Sequence, residues 1–238
     1  MHPAGPDPSR RRAELLSSLG DFRARLHDAC AVAGRGTREI TVIAVTKLFP
    51  LADARTLLEL GVADLGESRD QEARAKAAAL PAARWHFVGR LQTNKARSVA
   101  SYANAVHSVD RPDLVRALAD GVLRAARPAL PVFVQVSLDG DPARGGTEPG
   151  GVLALAEQVS ASEQLSLAGV MAVAPLGEDP ATAFARLASV SADLRAQFPQ
   201  AGAISAGMSA DLEAAVAAGA THVRVGTALL GPRAPVVG

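Results

Sequence analysis

The chain contains very few aromatic and sulfur-containing side chains. Among its 238 residues there are one cysteine, one tryptophan and one tyrosine, and aromatic residues make up 3% of the total. A lone cysteine excludes both an internal disulfide framework and a cysteine-ligated metal cluster, and the position of Cys30 in a helical stretch predicts a buried apolar role. Alanine, valine and leucine must therefore build the core, and we expect a reducing, cytoplasmic environment.

Net charge and long apolar runs are also lacking, and both absences exclude classes of partner. The 25 basic and 24 acidic residues leave a formal charge of +1, which supplies no broad field for nucleic acid or an anionic membrane. The longest apolar runs have the length of buried strands, far below the ~18 residues that a membrane helix needs. We expect a monomer without nucleic-acid or membrane partners, so any anion site must be local.

Short apolar strands alternate with helical stretches along most of the chain. From about Ser9, apolar positions recur at three- and four-residue spacing, which predicts an opening helix with Ser9 as its cap. About eight strands follow, predicted at Ile40–Val45, Val62–Leu65, Trp85–Val88, Ala105–Val109, Val132–Val136, Leu167–Val170, Ala203–Ser205 and Thr221–Val225. This α/β order favours a single (β/α)₈ TIM barrel with an extra N-terminal helix over an open doubly wound sheet.

Domain boundaries follow from the composition of the first residues. Residues 1–12 contain three prolines and three consecutive arginines without an apolar run, so we predict a flexible N-terminal arm rather than a secretory signal. No linker divides the remainder, and residues 13–238 are predicted to form one barrel domain.

In a parallel barrel the loops after the strands form the functional mouth. Lys47 ends the first strand, and the turns Gly207-Met208-Ser209 and Gly226-Thr227 end the seventh and eighth. Glycine lets backbone N–H groups approach an anion, and the two hydroxyls add donors. An amine facing a phosphate cup predicts a phosphorylated aldehyde held as a Schiff base.

Two residues inside the predicted strands have alternative interpretations. Arg224 points away from the face of its flanking valines, so it either contacts a ligand or forms an ion pair with Glu67 or Asp64. His86 is either a hydrogen-bonded core histidine or a ligand contact. No second histidine or carboxylate stands at metal-binding spacing beside it, so no metal is predicted.

With these residues in view, the chain resembles the pyridoxal 5′-phosphate (PLP) homeostasis proteins, the YggS/PROSC-like family, from about Val42 to Arg233. The segments that carry the resemblance are Ala44-Val45-Thr46-Lys47, Trp85-His86-Phe87-Val88-Gly89-Arg90-Leu91-Gln92-Thr93-Asn94-Lys95, His107-Ser108-Val109-Asp110, Gly169-Val170-Met171-Ala172, Gly207-Met208-Ser209 and Val223-Arg224-Val225-Gly226-Thr227. Three positions depart from the family pattern: Ser68 replaces a usual asparagine, Ala206 a common methionine, and Arg144 the lysine of a Lys-x-Gly.

The resemblance implies a barrel like the N-terminal domain of alanine racemase, with PLP as cofactor. PLP would be joined to Lys47 and Arg224 would face its pyridine nitrogen. The full set of expected cofactor-binding residues is Lys47, Ser68, His86, Gly207, Met208, Ser209, Arg224, Gly226 and Thr227. The implied role is a carrier or regulator of vitamin B6 that passes PLP to apo-enzymes.

The alternative is a PLP-dependent amino-acid racemase. Racemisation needs a proton donor or acceptor on both faces of the cofactor, and two-domain racemases take the second from a tyrosine of an additional β domain. Such a domain is not expected here, and Tyr102 precedes the fourth strand at the opposite end of the barrel. We therefore expect a non-enzymatic PLP-binding protein. A lysine-dependent aldolase would explain the amine and the phosphate cup but not the whole motif series.

Overall fold

The computed structural model describes residues 7–232, in which eight parallel strands close into one barrel. Each strand pairs with the next along the chain, and β1 also pairs with β8. The strands are β1 Thr41–Val45, β2 Asp64–Glu67, β3 Arg84–Phe87, β4 Ala105–Val109, β5 Leu130–Gln135, β6 Leu165–Met171, β7 Ala203–Ser205 and β8 His222–Val225. The predicted (β/α)₈ barrel is therefore confirmed.

Helices connect the strands and cover the outside of the barrel. They are α2 Leu51–Glu59, α3 Asp70–Ala79, α4 Ala96–Tyr102, α5 Pro112–Arg124, α6 Val152–Ser160, α7 Pro180–Gln197, α8 Leu212–Ala217 and the short α9 Thr227–Leu230. Single 3₁₀ turns lie at Thr37–Glu39, Thr93–Lys95 and Pro149–Gly151. No helix within residues 7–232 combines the length and apolarity that a membrane span requires.

The opening helix α1, Pro8–Val32, begins earlier than the sequence indicated. Asp7 is its N-cap, and the Asp7 carboxylate accepts the backbone N–H of Ser9 at 3.0 Å, so Ser9 lies in the first turn and is not the cap. Proline suits this first turn because its missing N–H would have had no partner. The predicted arm is thus wrong for residues 8–12, whereas residues 1–6 lie outside the described part of the chain.

Helix α1 is held against the barrel by an apolar face and by arginines. Its buried residues include Leu15, Phe22 and Cys30, and the burial of Cys30 agrees with the prediction. Arg11 donates to Asp53 Oδ2 at 2.8 Å and to the Leu230 carbonyl at 2.9 Å. The helix therefore packs beside α8 and α9, close to the turns that follow β7 and β8.

The core has two layers of different chemistry. Between strands and helices the buried side chains are almost all aliphatic or phenyl groups. Inside the barrel a small apolar cluster, Ala105, Phe133 and Met171, shares the space with buried polar side chains. His107 of β4 contacts Ser205 of β7, and since these strands are not neighbours, the contact crosses the barrel interior.

Candidate functional site

Lys47 follows β1 at the C-terminal mouth, and the backbone on both sides of it is held in place. Lys76 Nζ donates to the Thr46 carbonyl at 2.8 Å, and Leu48 N–H donates to Glu72 Oε1 at 2.9 Å. Leu48 has a φ of 67°, which turns the chain sharply after Lys47. The half-buried Lys47 is therefore presented at a fixed point of the mouth.

A buried charged cluster lies directly beneath this point. Glu67 Oε1 accepts from Thr46 Oγ1 and from Lys76 Nζ, both at 2.7 Å, and Lys76 also contacts Glu72 at 2.8 Å. Burial raises the pKa of Glu67, and its second carboxylate oxygen, Oε2, is buried without a partner in the described residues. Because the Lys76 ammonium donates to three oxygens, it is a structural cation rather than a nucleophile.

Strand register brings the turn after β8 next to Lys47. Ala44 pairs with Val225, so the chain leaves β1 beside Gly226 and Thr227. A Cβ added to Gly226 would meet only Val45, at 3.6 Å or more, so packing within the protein does not require glycine there. The absence of a side chain leaves the backbone at Gly226 uncovered. The Thr227 side chain is exposed at this edge.

The turn after β7 lies against the same edge. Gly207 has a φ of +91°, and a Cβ there would lie 2.6 Å from Ala215 Cβ, so only glycine fits. Ser209 Oγ accepts the Ala228 N–H at 3.1 Å, which joins this turn to α9 and leaves the hydroxyl hydrogen for an anion. Met208 beside it is 39% exposed.

The helix that follows this turn, α8, begins at Leu212 after Asp211, so Ser209 does not cap it. The Asp211 carboxylate accepts the Met208 N–H at 2.5 Å, so this N–H is already used. The polar side chains that the two turns bring to this edge are therefore those of Ser209 and Thr227. Arg25 of α1 fixes the turn through the Ser209 carbonyl, at 2.5 Å.

Arg224 is a buried cation at the β7–β8 side of the mouth. Its Nη1 donates to the Ser205 carbonyl at 2.7 Å and to Ser205 Oγ at 2.6 Å, and its Nη2 donates to the Ala172 carbonyl at 2.8 Å. Neither candidate carboxylate pairs with it, since Glu67 binds Lys76 and Asp64 binds Arg84. Burial lowers the pKa of Arg224 to about 10, so the guanidinium stays charged at neutral pH.

Comparisons with known proteins identify the family of this chain. The family model of the alanine racemase N-terminal domain matches residues 22–234. The pyridoxal phosphate homeostasis protein of Mycobacterium tuberculosis is 48% identical over 243 residues, 94% of each chain. This chain belongs to that family. A pyridoxal phosphate homeostasis protein of Pseudomonas aeruginosa is 39% identical and covers 92% of this chain and 96% of its own.

Solved structures extend the comparison to three dimensions. PipY of Synechococcus elongatus, solved with PLP bound, is 34% identical with a TM-score of 0.80, covering 91% of this chain and 100% of PipY. An alanine racemase of Clostridium difficile is 14% identical with a TM-score of 0.76, and covers 94% of this chain and 58% of the racemase. The second likeness concerns the barrel fold alone.

His86 does not lie with the other predicted site residues. Its Nε2 is 2.9 Å from Asp64 Oδ1, at the start of β2, and its Nδ1 is 3.0 Å from His107 Nε2. It lines a cavity of about 380 Å³ at the N-terminal end of the barrel, together with Thr41 and His222. The geometry therefore favours the core-histidine interpretation, and we exclude His86 from the proposed cofactor contacts.

Ser68 borders a separate basic cleft at the mouth. A Cβ at Gly89 would lie 2.5 Å from the Ser68 carbonyl oxygen, so glycine allows the turns after β2 and β3 to touch. The cleft has a volume of about 970 Å³, and its lining includes Arg69, Arg90 and Lys95. With Arg111, the lining holds four cations against the two carboxylates of Asp70 and Asp110, so the cleft is locally positive.

Tyr102 is packed in the helix layer. It ends α4, and its hydroxyl is buried without a hydrogen-bond partner in the described residues. Burial raises the pKa of this hydroxyl, so the phenol stays neutral at neutral pH. No group of three metal-ligating side chains occurs within residues 7–232.

Proposed function

We propose that this protein holds PLP as a Schiff base on Lys47 and acts in intracellular PLP homeostasis as a carrier without catalytic turnover. The observation that carries this proposal is the placement of a clamped lysine beside two hydroxyl-bearing turns and a buried, charged arginine. Membership of the pyridoxal phosphate homeostasis family and the PLP-bound structure of PipY support it.

The donor set fits the chemical groups of PLP. A phosphate dianion needs several donors, and Ser209, Thr227 and the backbone around Gly226 supply them at an open edge next to Lys47. Arg224 would face the pyridine nitrogen as a donor that cannot give up its proton at neutral pH. When bound, PLP supplies an aldehyde that condenses with amines and a ring able to delocalise negative charge.

Two features of the chain favour carriage over racemisation. A charged guanidinium at the pyridine nitrogen discourages ring protonation and so weakens stabilisation of a carbanion. The hydroxyl of Tyr102 is buried in the helix layer and presents no exposed oxygen surface to a bound cofactor. The one tyrosine of the chain therefore does not supply a second proton-transfer group opposite Lys47.

The first prediction concerns the attachment site. Borohydride reduction of the PLP-loaded protein should give one stable adduct, and peptide mapping should place it on Lys47. The chain has only three lysines, so the assignment is direct. Lys47→Ala should lose the adduct in intact-mass analysis, whereas the matched control Lys95→Ala, in the basic cleft, should keep it. A stoichiometric adduct that persists in Lys47→Ala would contradict the proposal.

The second prediction separates a carrier from a racemase. We propose that PLP-dependent apo-enzymes are the acceptors and that the basic cleft beside Ser68 faces them during transfer. Loaded protein should activate an apo-enzyme, and Arg90→Glu should slow this transfer because it reverses a charge of the cleft. Arg38→Glu, with an exposed side chain outside the cleft, is the control.

The same preparation, incubated with alanine in deuterated water, should show no multiple-turnover incorporation of α-deuterium. Sustained incorporation that disappears in Lys47→Ala would establish a racemase-like enzyme instead.

A further inference from the structure

A chain of hydrogen bonds crosses the barrel interior from Arg224 to Asp64. Arg224 Nη1 lies 2.6 Å from Ser205 Oγ, which lies 2.8 Å from His107 Nδ1. His107 Nε2 is 3.0 Å from His86 Nδ1, and His86 Nε2 is 2.9 Å from Asp64 Oδ1. All five side chains are buried, and they come from five different strands. The mouth of the barrel is thus connected to its opposite end.

One direction of hydrogen bonds satisfies every group of this chain. Arg224 has only donors, so Ser205 Oγ accepts from it, and the Ser205 hydroxyl can give its own hydrogen to His107 Nδ1. His107 then carries its hydrogen on Nε2 and donates to His86 Nδ1. His86 in turn donates from Nε2 to Asp64, whose ionised carboxylate only accepts. In this direction both histidines are Nε2–H tautomers.

The residues around His107 favour its neutral form in the hydrogen-bond chain. Phe133 of β5 stacks on the His107 ring at a centroid distance of 4.2 Å, and His222 of β8 lies 6.0 Å away. Burial, together with the charge of Arg224, lowers the pKa of His107 well below its usual range. His107 therefore carries a single hydrogen at neutral pH.

Each end of the hydrogen-bond chain carries a charged group with an opposite charge nearby. Asp64 receives donors from both Arg84, at 2.5 Å, and His86, and these outweigh burial and hold its pKa below the usual range. At the other end, Asp211 is the further carboxylate whose charge reaches Arg224. Because aligned hydrogen bonds polarise one another, the carboxylate of Asp64 strengthens the acceptor that Ser205 offers to Arg224.

We propose that Ser205 and His107 are positioning residues for the cofactor ring, because they fix the guanidinium of Arg224. The inference rests on the proposed function, which places Arg224 at the pyridine nitrogen. His107 Nδ1 holds the hydroxyl hydrogen of Ser205 away from Arg224, so that a lone pair of Oγ faces the guanidinium. Without His107 the hydroxyl is free to rotate, and one of the three acceptors that hold the guanidinium is no longer fixed in orientation.

The third prediction concerns the tautomers of His86 and His107, and its first test needs no cofactor. Nitrogen-15 NMR of the histidine side chains in PLP-free protein should show Nε2–H tautomers for both His86 and His107. Their N–H hydrogens should exchange slowly at neutral pH, with exposed His27 as the internal reference. Ser205→Ala should perturb the His107 signals more than those of His27. An Nδ1–H tautomer on either ring would overturn the directional chain, whether or not the protein binds PLP.

The second arm measures the pH dependence of the absorbance of the lysine-bound chromophore. Ser205→Ala and His107→Leu should shift the midpoint of this titration by about half a pH unit or more. His107→Asn, which retains an acceptor near the Nδ1 position, should restore most of the wild-type value. Ser166→Ala, at an exposed position of β6, is the matched control and should leave the midpoint unchanged.

The outcomes of the two arms are distinguishable. Absence of a Lys47 adduct in the wild type defeats the proposed function but leaves the tautomer result standing. An adduct in the wild type with midpoints identical in all variants defeats the positioning role of Ser205 and His107. Circular dichroism checks folding, and Ser205→Ala is the decisive variant because it removes a single oxygen atom.

Discussion

The two layers of this barrel are built on opposite principles. The outer layer, between strands and helices, is filled with side chains such as Leu57, Leu118 and Phe184, which pack closely without directional bonds. The interior instead holds ionised and imidazole groups, each satisfied by a partner in a defined direction. Close packing supplies stability in proportion to buried apolar area, whereas buried polar groups are costly unless every bond is made. Stability and site geometry are therefore carried by different layers.

The interior is also divided along its axis. Its upper end presents Lys47, the glycine turns and Arg224 to the mouth, while its lower end places Asp64 and His86 against a separate cavity. Between them only the chain through His107 and Ser205 provides a continuous polar connection within the described residues. Substitutions in the outer layer and in the interior should consequently have separable effects.

The largest effect is expected in the outer layer. Phe184 on α7 is 1% exposed, and Phe184→Ala should lower the free energy of unfolding by about 3–5 kcal/mol because it removes apolar burial and leaves a cavity. At denaturant concentrations well below the unfolding transition, Phe184→Ala should give the same yield of the Lys47 adduct as the wild type. Denaturant unfolding and intact-mass analysis measure the two quantities.

A matched surface substitution checks this interpretation. Leu123 on α5 is 65% exposed, so Leu123→Ala should change the unfolding free energy by no more than about 0.5 kcal/mol. If Phe184→Ala abolished adduct formation while the protein remained folded, the two layers would not be separable.

The features predictable from sequence are those determined by local pattern. Alternating apolar strands and helices indicate the barrel, and Lys47 and the turns after β7 and β8 are recognisable because each ends a strand. The start of α1 was missed because a proline-rich, arginine-rich segment resembles a disordered arm, whereas Asp7 caps it and Arg11 anchors it to Asp53. That anchor joins residues distant in sequence.

The interior chain depends on barrel closure and could not be read from local pattern. His107 and Ser205 are 98 positions apart on strands that are not neighbours. Alternation indicates which side chains point inward, but the tilt and stagger of the strands decide their height along the axis. His86 was assigned to the mouth for this reason, whereas it lies against Asp64 at the lower end. The strand pattern of the sequence does indicate that His86 and His107 both point into the barrel, and this was the available signal for their contact.

A smaller, pH-dependent effect should come from the interior, at His222. Burial, with the charge of Arg224, lowers the pKa of His222 from 6.5 to about 4. Between these values the unfolded chain binds the proton and the folded chain does not, so the stability contribution is complete above pH 6.5 and falls as the pH drops toward 4. The raised pKa of Glu67 acts in the opposite direction, so a difference between variants is needed.

His222→Gln removes this single titration. Over the interval from pH 6.5 to 4, its unfolding free energy should depend on pH less steeply than that of the wild type, by up to about 1.4 kcal/mol per pH unit. Denaturant unfolding at several pH values gives both slopes, and contributions from Glu67 and Asp64 cancel in the difference. His27→Gln, at an exposed position of α1, should run parallel to the wild type. Parallel slopes for His222→Gln as well would show that His222 is protonated in the folded barrel, where it would set a positive charge beside the neutral His107 and oppose the hydrogen-bond chain that holds Arg224.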